Sequence, residues 1–306
     1  MNTVSAHAAV LKGYGGPETL VPGSVEVPDP GPGQVRLAVR HAGVGPTDLE
    51  IRAGHLTAVF SSPPGTALGF EVAGTVEAVG ADVVGTAIGD EVAAFLPGLG
   101  GYAALALADH WVVVPPHVDP ADAAALPASG EAAARVLSQL GVGPGQSLLV
   151  LGGTGSVGLL ATQLAVSHGI QVLAAVRKAD HGLMAELGAV PVTYGPGLAD
   201  EVRRAIGPHV DAVFDAATSS DLPAAVELAG SPDRVITLSN HDAPALGVRL
   251  SGPDPAHADA ALAEVMTALA AGHLRMRQRT TLPLDRAAEA HARLERGERT
   301  KFLLQP

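Results

Sequence analysis

The sequence predicts an α/β protein: a doubly wound parallel sheet, preceded by a β-rich region and followed by a short mixed tail. Three observations carry that expectation. From Ser147 onward strands and helices alternate, the rhythm of βαβ units that assemble into a parallel sheet. A glycine turn, Gly153-Thr154-Gly155-Ser156-Val157-Gly158, joins the first strand of that series to its first helix. Up to Val114 the chain breaks into short apolar runs separated by Gly and Pro, the punctuation of a small barrel or sandwich.

Composition bounds the rest. Of 306 residues, 47% are hydrophobic and 16% charged, which excludes a disordered chain and supports a large core. A net charge of −12 repels phosphate backbones, so no nucleic-acid partner is expected. There is no cysteine, which removes disulfide scaffolds, thiolate nucleophiles and cysteine-ligated zinc together and fits a reducing compartment. The start, MNTVSAHAAV, lacks the basic-then-apolar pattern of a signal peptide, and a cytoplasmic location is expected. Gln146–Val176 carries no formal charge, but glycines at 152, 153, 155 and 158 interrupt it. It reads as strands buried on both faces of a sheet and not as a membrane span.

The elements follow in order. Strands are expected at Val35–Arg40, Val72–Val79, Glu91–Ala94, Tyr102–Leu107 and Trp111–Val114, after a stiff entry at Pro28, Pro30 and Pro32. The pattern changes at Pro115–Pro120, and alanine-rich helices follow at Asp122–Ala125 and Glu131–Leu140, closed by Gly141 and Gly143. Then come strand Ser147–Leu151, helix Ser156–His168, strand Gln171–Val176 and helix Ala179–Leu187. Helices near Asp200–Ile206 and Pro223–Ala229 accompany strands Val210–Phe214 and Arg234–Leu238, and a long helix spans His257–Ala271. The tail reads strand (Thr281–Leu284), helix (Asp285–Arg296), strand (Lys301–Leu304). It leaves the βαβ rhythm, so it is expected to return to the first region. Residues 1–118 with 273–306 then form one domain and 119–272 the other.

The glycine turn carries the chemistry. In such a turn the first glycine permits the bend, the second lets the backbone approach a pyrophosphate and the third lets the helix pack on the sheet. Free amides and the dipole at the helix start favour the anion. Thr154, Ser156 and Val157 fill the remaining places. A carboxylate for the ribose hydroxyls of NAD usually stands ~20 residues on, at the end of the second strand. Here Arg177 and Lys178 occupy that place, which suits the 2′-phosphate of NADPH, with His181 and Tyr194 nearby.

The layout resembles the medium-chain dehydrogenase/reductase superfamily, and within it the zinc-free quinone oxidoreductase (zeta-crystallin-like) branch. The likeness rests on GPETL, GVGPTDLEIRAG at 43–54, GFEVAGTVEAVG at 69–80, GDEV at 89–92 and GGYA at 100–103. It continues through AALPASGEAA at 124–133, GGTGSVG, VFDAAT at 213–218 and LPLDRAAEAHARLERG at 282–297. The resemblance implies a GroES-like, barrel-like catalytic domain beside a Rossmann domain. It implies NADPH-dependent reduction of a quinone, enone or other activated alkene, and no metal, because Gly45 and Phe70 stand where zinc members carry Cys and His. The 12 histidines form no HxH or HExxH pair.

The resemblance also places residues. Gly45 and Ala132 are expected at the cofactor, where the branch commonly has Asn and Thr, and Glu50 stands where it commonly has Tyr. Asp215, Ala216 and Ala217 are expected beside the nicotinamide ribose, and Leu238, Ser239 and Asn240 facing the nicotinamide. Lys301 is expected to reach the cofactor phosphates, or else to be a solvated tail lysine. Candidates for catalysis are Glu50, as a desolvated acid/base, Arg52, as a substrate ligand or locally paired, and His55; Asp48 is expected to cap a short helix. Redox-neutral chemistry through Glu50 or His55, and an NADPH-binding sensor, remain alternatives. The partners expected are a small-molecule substrate and a second copy of the chain, in a homodimer joined through an edge at Leu246–Leu250.

Overall fold

The computed structural model describes residues 2–306. In chain order the elements are β1 (Thr3–Leu11), β2 (Leu20–Pro28), β3 (Val35–Val44), α1 (Pro46–Ala53), β4 (Glu71–Val79), β5 (Glu91–Phe95), β6 (Leu105–Ala108), β7 (His110–Val113) and α2 (Pro120–Ala124). Then follow α3 (Pro127–Leu140), β8 (Ser147–Leu151), α4 (Ser156–Ser167), β9 (Gln171–Val176), α5 (His181–Glu186), β10 (Val190–Thr193), α6 (Leu198–Ile206), β11 (Ala212–Asp215) and α7 (Leu222–Ala229). The chain closes with β12 (Val235–Thr237), β13 (Arg249–Leu250), α8 (Pro255–Ala270), β14 (Arg279–Pro283), α9 (Ala287–Glu295) and β15 (Lys301–Gln305). It falls into two compact units. One holds the residues up to Ala128, Ala258–Ala270 and Arg277–Pro306; the other holds Ser129–His257 and Ala271–Met276.

The first unit is built on a seven-stranded sheet, with β14-β15-β3-β4-β5-β7 along its length and β6 also paired to β3. The tail strand β15 lies antiparallel to β3, Phe302 opposite Val44 and Leu304 opposite Ala42, and parallel to β14. Hydrophobic patterning explains the insertion: Phe302 and Leu304 are fully buried in one cluster with Leu37, Val72 and Ile51, and Leu303 is fully buried as well. β1 and β2 form a separate hairpin, nine pairs long, which the strand signals did not mark. Its inward residues on β1 include Ala6, Ala8 and Leu11, and alanine, serine and histidine carry little strand propensity. Pairing with β2 decides the matter there.

The second unit is a parallel sheet in the order β10-β9-β8-β11-β12-β13, the doubly wound arrangement. β8 is buried along its whole length and β9 everywhere but Gln171, as strands covered on both faces must be. β10 has no counterpart among the expected strands. Pro191 demotes such a run, and here it sits on the sheet's edge, where a missing N–H is tolerated. At the other edge only Arg249–Leu250 of the expected Leu246–Leu250 run is a strand, since a 3₁₀ turn occupies Ala243–Leu246. Strand order reverses between β8 and β11, which sets the ligand crevice of such a sheet at their carboxyl ends. No helix among the described residues is long and apolar enough to cross a membrane.

Candidate functional site

In the second unit the turn between β8 and α4 is shaped by glycines in three different ways. The bend falls to Gly152, at φ +78°, and not to Gly153 as the motif spacing implied. Gly153 instead makes room: a Cβ there would stand 3.0 Å from the Ala174 side chain and 3.1 Å from Val176 on β9. Gly158 allows the helix onto the turn, since a Cβ would lie 2.9 Å from the Gly152 carbonyl carbon. Gly155 is the N-cap of α4, with no side-chain cap and no acidic residue in the first turn. A helix start of this kind presents backbone donors and the positive end of the dipole to an anion. Thr154, Ser156 and Val157 complete the half-exposed rim.

The neighbouring strand ends are tied together by Asp215. Its fully buried carboxylate accepts from Ser220 Oγ (2.6 Å), Thr237 Oγ1 (2.7 Å) and the Ala217 amide (3.2 Å). Burial pushes this carboxyl up, while the three donors pull it back. Ser239 Oγ donates to the Ala217 carbonyl at 2.7 Å, and Asn240 Oδ1 accepts from the Asp242 amide at 3.0 Å. The segments after β11 and β12, holding Ala216, Ala217, Leu238, Ser239 and Asn240, are thereby fixed to one another. Thr237 and Ser220 are site residues that motif reasoning passed over; their signal is hydroxyls flanking a strand-end aspartate.

On the adenosine side, Arg177 ends β9 and is half exposed, but it is not a free cation. Its guanidinium forks onto Asp180 at 2.9 and 3.3 Å. The sequence does hold a carboxylate near this strand end, three residues past the arginine. Lys178 is exposed beside it. The Tyr194 hydroxyl donates to the Ser219 carbonyl.

The first unit contains a buried polar cluster. Asp48, third residue of α1, accepts from the Gly45 amide at 2.9 Å, the cap expected for it, and also from the Gly69 amide at 3.0 Å. Lys301 Nζ binds Glu71 and donates to the Val44 carbonyl at 3.1 Å; both ion-pair partners are almost wholly buried. Glu71 also accepts from the Ala128 amide at 2.8 Å. The Tyr102 hydroxyl meets His291 Nε2 at 3.0 Å, both side chains being fully buried. Arg52 is buried too, paired with Glu295, with its Nε and Nη1 lacking partners. Glu50 and His55 lie outside this cluster as an exposed pair, Glu50 Oε2 to His55 Nδ1 at 2.7 Å.

A parallel sheet with this glycine turn, carried on the same chain as a β-barrel-like unit, matches known families. Residues 31–118 match the alcohol dehydrogenase GroES-like domain and residues 187–300 the zinc-binding dehydrogenase family. The chain is 28% identical to human quinone oxidoreductase, over 93% of this chain and 92% of that one. The chain belongs to the medium-chain dehydrogenase/reductase superfamily, in its quinone oxidoreductase branch. Other relatives of this superfamily member are a 2-haloacrylate reductase from Burkholderia sp (32% identity, 68% of this chain, 65% of that one) and erythronolide synthase EryA2 from Saccharopolyspora erythraea. The latter is 32% identical over 64% of this chain, which spans only 6% of the synthase. A solved quinone oxidoreductase from Pseudomonas syringae pv. Tomato superposes with a TM-score of 0.82 at 26% identity, covering 98% of this chain and 100% of that one.

Membership of the superfamily implies a nicotinamide cofactor, and the glycine turn fits one. Cysteine-ligated zinc is excluded by composition. Gly45 and Phe70 offer no donor atom, the chain has no cysteine, and no group of three His, Cys, Asp or Glu among the described residues is placed to hold a metal. The structure sorts the expectations for three site residues. Of the two roles expected for Arg52 it shows the local one, a buried pairing with Glu295. Lys301 is not a solvated tail lysine, because β15 inserts beside β3 and carries its ammonium to Glu71. Glu50 is not desolvated; it sits at the surface against His55.

His291 and Asp48 make opposite demands on stability. Burial, and then the Arg52 charge, lower His291 to about 3, so it stays neutral when folded. The unfolded chain takes up that proton below its ordinary value near 6.5, and this residue withdraws stability as pH falls from there toward 3. Burial raises Asp48 from 3.8 to about 7 against the pull of the Gly45 amide and Lys301. The folded chain then keeps a proton that the unfolded one releases, so stability falls as pH rises through that window. Between these limits the two offset each other. The His291→Phe variant is expected to show a folding free energy that declines with rising pH in that window, by up to about 1.4 kcal/mol per unit more steeply than wild type. Urea denaturation across the pH range measures it, and parallel profiles would count against the assignment.

Proposed function

We propose that this protein is a zinc-free, NADPH-dependent oxidoreductase that reduces an α,β-unsaturated carbonyl compound, a quinone, enone or enoyl-type substrate, by hydride transfer. The observation that carries the reading is the glycine cradle at the switch point of the second unit, with an uncapped helix start behind it. Quinones and haloacrylates, named for two of the relatives, share a carbon–carbon double bond conjugated to a carbonyl.

When bound, the nicotinamide supplies the hydride. Gly153, Thr154, Gly155, Ser156 and Val157 would hold its pyrophosphate, and Ala216, Ala217, Leu238, Ser239 and Asn240 its nicotinamide half. Gly45 and Ala132 remain proposed contacts. Asp215 keeps the strand-end segments from shifting, which is the positioning that hydride transfer needs. The Glu50–His55 pair is the proposed source of the proton for the substrate's α-carbon. That same pair favours one alternative: acid/base chemistry without net oxidation, in which Glu50→Gln abolishes product formation and no NADPH is consumed.

The deciding experiment mixes the purified protein with NADPH and a panel of quinones and enones while nicotinamide absorbance is followed. Consumption dependent on substrate is the expected result; no consumption with any acceptor would overturn the reading. NADPH is preferred in this proposal because Arg177, on leaving Asp180, would offer its guanidinium to the 2′-phosphate, with Lys178 and Tyr194 alongside. Replacing Arg177 and Lys178 by serine is expected to weaken NADPH roughly 10- to 100-fold and leave NADH within twofold. Equal losses for both cofactors would refute the assignment. The proposed enzyme is cytoplasmic and a homodimer joined at the sheet edge formed by β13, a state that light scattering reads directly.

A further inference from the structure

We infer that Asp48 is a positioning residue, whose one carboxylate clamps the backbone at Gly45 and Gly69 and so fixes the segments that enter and leave the α1 region. The inference rests on the reductase reading for its catalytic consequence, but not for its geometry. Gly45 ends the run from β3 into α1, and Gly69 leads into Phe70 and β4. Their sequence separation is large, and no strand ladder joins these two positions. Asp48 does so by taking an amide on each oxygen, Gly45 on Oδ2 and Gly69 on Oδ1. Gly69 lies at φ +99°, and a Cβ on it would press into the Tyr102 ring and stand 3.0 Å from Gly101 Cα, so this approach is close on every side.

Several elements contribute polar groups around Asp48. Lys301 on β15 attracts the carboxylate and Glu71 on β4 repels it. The buried Tyr102 hydroxyl, itself pushed upward first by burial and then by the Asp48 charge, faces it from the segment before β6. Behind Tyr102 stand neutral His291 on α9 and the Arg52 guanidinium on α1. An ionised carboxylate accepts both amides strongly; a protonated one loses most of its hold on one of them. The clamp is therefore tight above the Asp48 midpoint and slack below it.

The test follows the assigned Gly45 and Gly69 amide signals by nuclear magnetic resonance through a pH titration, alongside reduction kinetics with NADPH and an enone. The two amides are expected to move together with one midpoint near 7. kcat should rise through the same midpoint while the NADPH Kd stays within twofold. Asp48→Asn places an NH₂ against one amide; it should flatten both titrations and lower kcat about 10- to 100-fold. Should that variant not fold, Tyr102→Phe removes one donor facing the carboxyl and should move the shared midpoint upward by up to roughly one unit. Amides that are flat with pH, or that move with separate midpoints, overturn the clamp even in an active reductase. Amides that titrate together in a protein that reduces no acceptor leave the clamp standing and overturn the functional reading alone.

Discussion

Replacing Gly158 by valine is expected to abolish nicotinamide binding, raising the Kd by more than about 100-fold, a cost of roughly 3 kcal/mol. The reason is geometric. A side chain at Gly158 meets backbone, not flexible side chain: the Gly152 carbonyl and, at 3.1 Å, the Gly153 Cα. Neither can yield without moving the turn between β8 and α4. Once the turn moves, the helix start no longer faces the pyrophosphate and its amides lose their common focus. Calorimetric titration with NADPH and NADH measures the loss. Gly182→Ala is the control, because that glycine lies exposed in α5 with nothing within 4 Å of an added Cβ. It should bind normally and gain about 0.5–1 kcal/mol of stability from helix propensity. Unchanged binding in the valine variant would mean that the cofactor does not use this turn.

The second large effect lies in the other unit. Lys301→Met is expected to cost about 3–5 kcal/mol of folding free energy, because it leaves the Glu71 carboxylate buried beside an apolar side chain. The Val44 carbonyl loses a donor at the same time. The double variant Glu71→Gln, Lys301→Met should recover much of the loss, since a neutral amide still accepts from the Ala128 amide and carries no uncompensated charge. Urea denaturation of the three proteins reads the cycle. The same experiment separates two roles for Lys301. A phosphate ligand would lose cofactor affinity at unchanged stability, whereas the buried ion pair loses stability first. A single variant within about 1 kcal/mol of wild type would rule out the buried pair.

Local signals made the second unit legible. β8 and β9 begin and end where their apolar runs do, and α4 starts on the residue the glycine turn indicates. Each of these depends on residues a few positions apart. The hairpin of β1 and β2 was not legible, because Thr3–Leu11 is rich in alanine and takes its conformation from a partner strand. The roles of charged residues were legible only when the partner lay nearby. Asp48 capping α1 is such a case, read at a spacing of three residues. The Arg177–Asp180 pair has the same spacing and was missed because the cofactor pattern directs attention to carboxylates at the strand end itself.

By itself the sequence determined the parallel sheet, the glycine turn that opens α4, and the absence of cysteine ligands for a metal. These follow from periodicity, from small residues at fixed spacing and from residue type. Only the tertiary structure decided which charges are buried. Glu71 and Lys301 are 230 residues apart, Arg52 and Glu295 243, and Tyr102 and His291 189. Those pairs exist because the tail folds back, β15 beside β3, and places α9 with them in the first unit. A charged side chain reads the same in a sequence whether water or protein surrounds it; its ionisation and its partner are settled by the dielectric and the neighbours that long-range packing supplies.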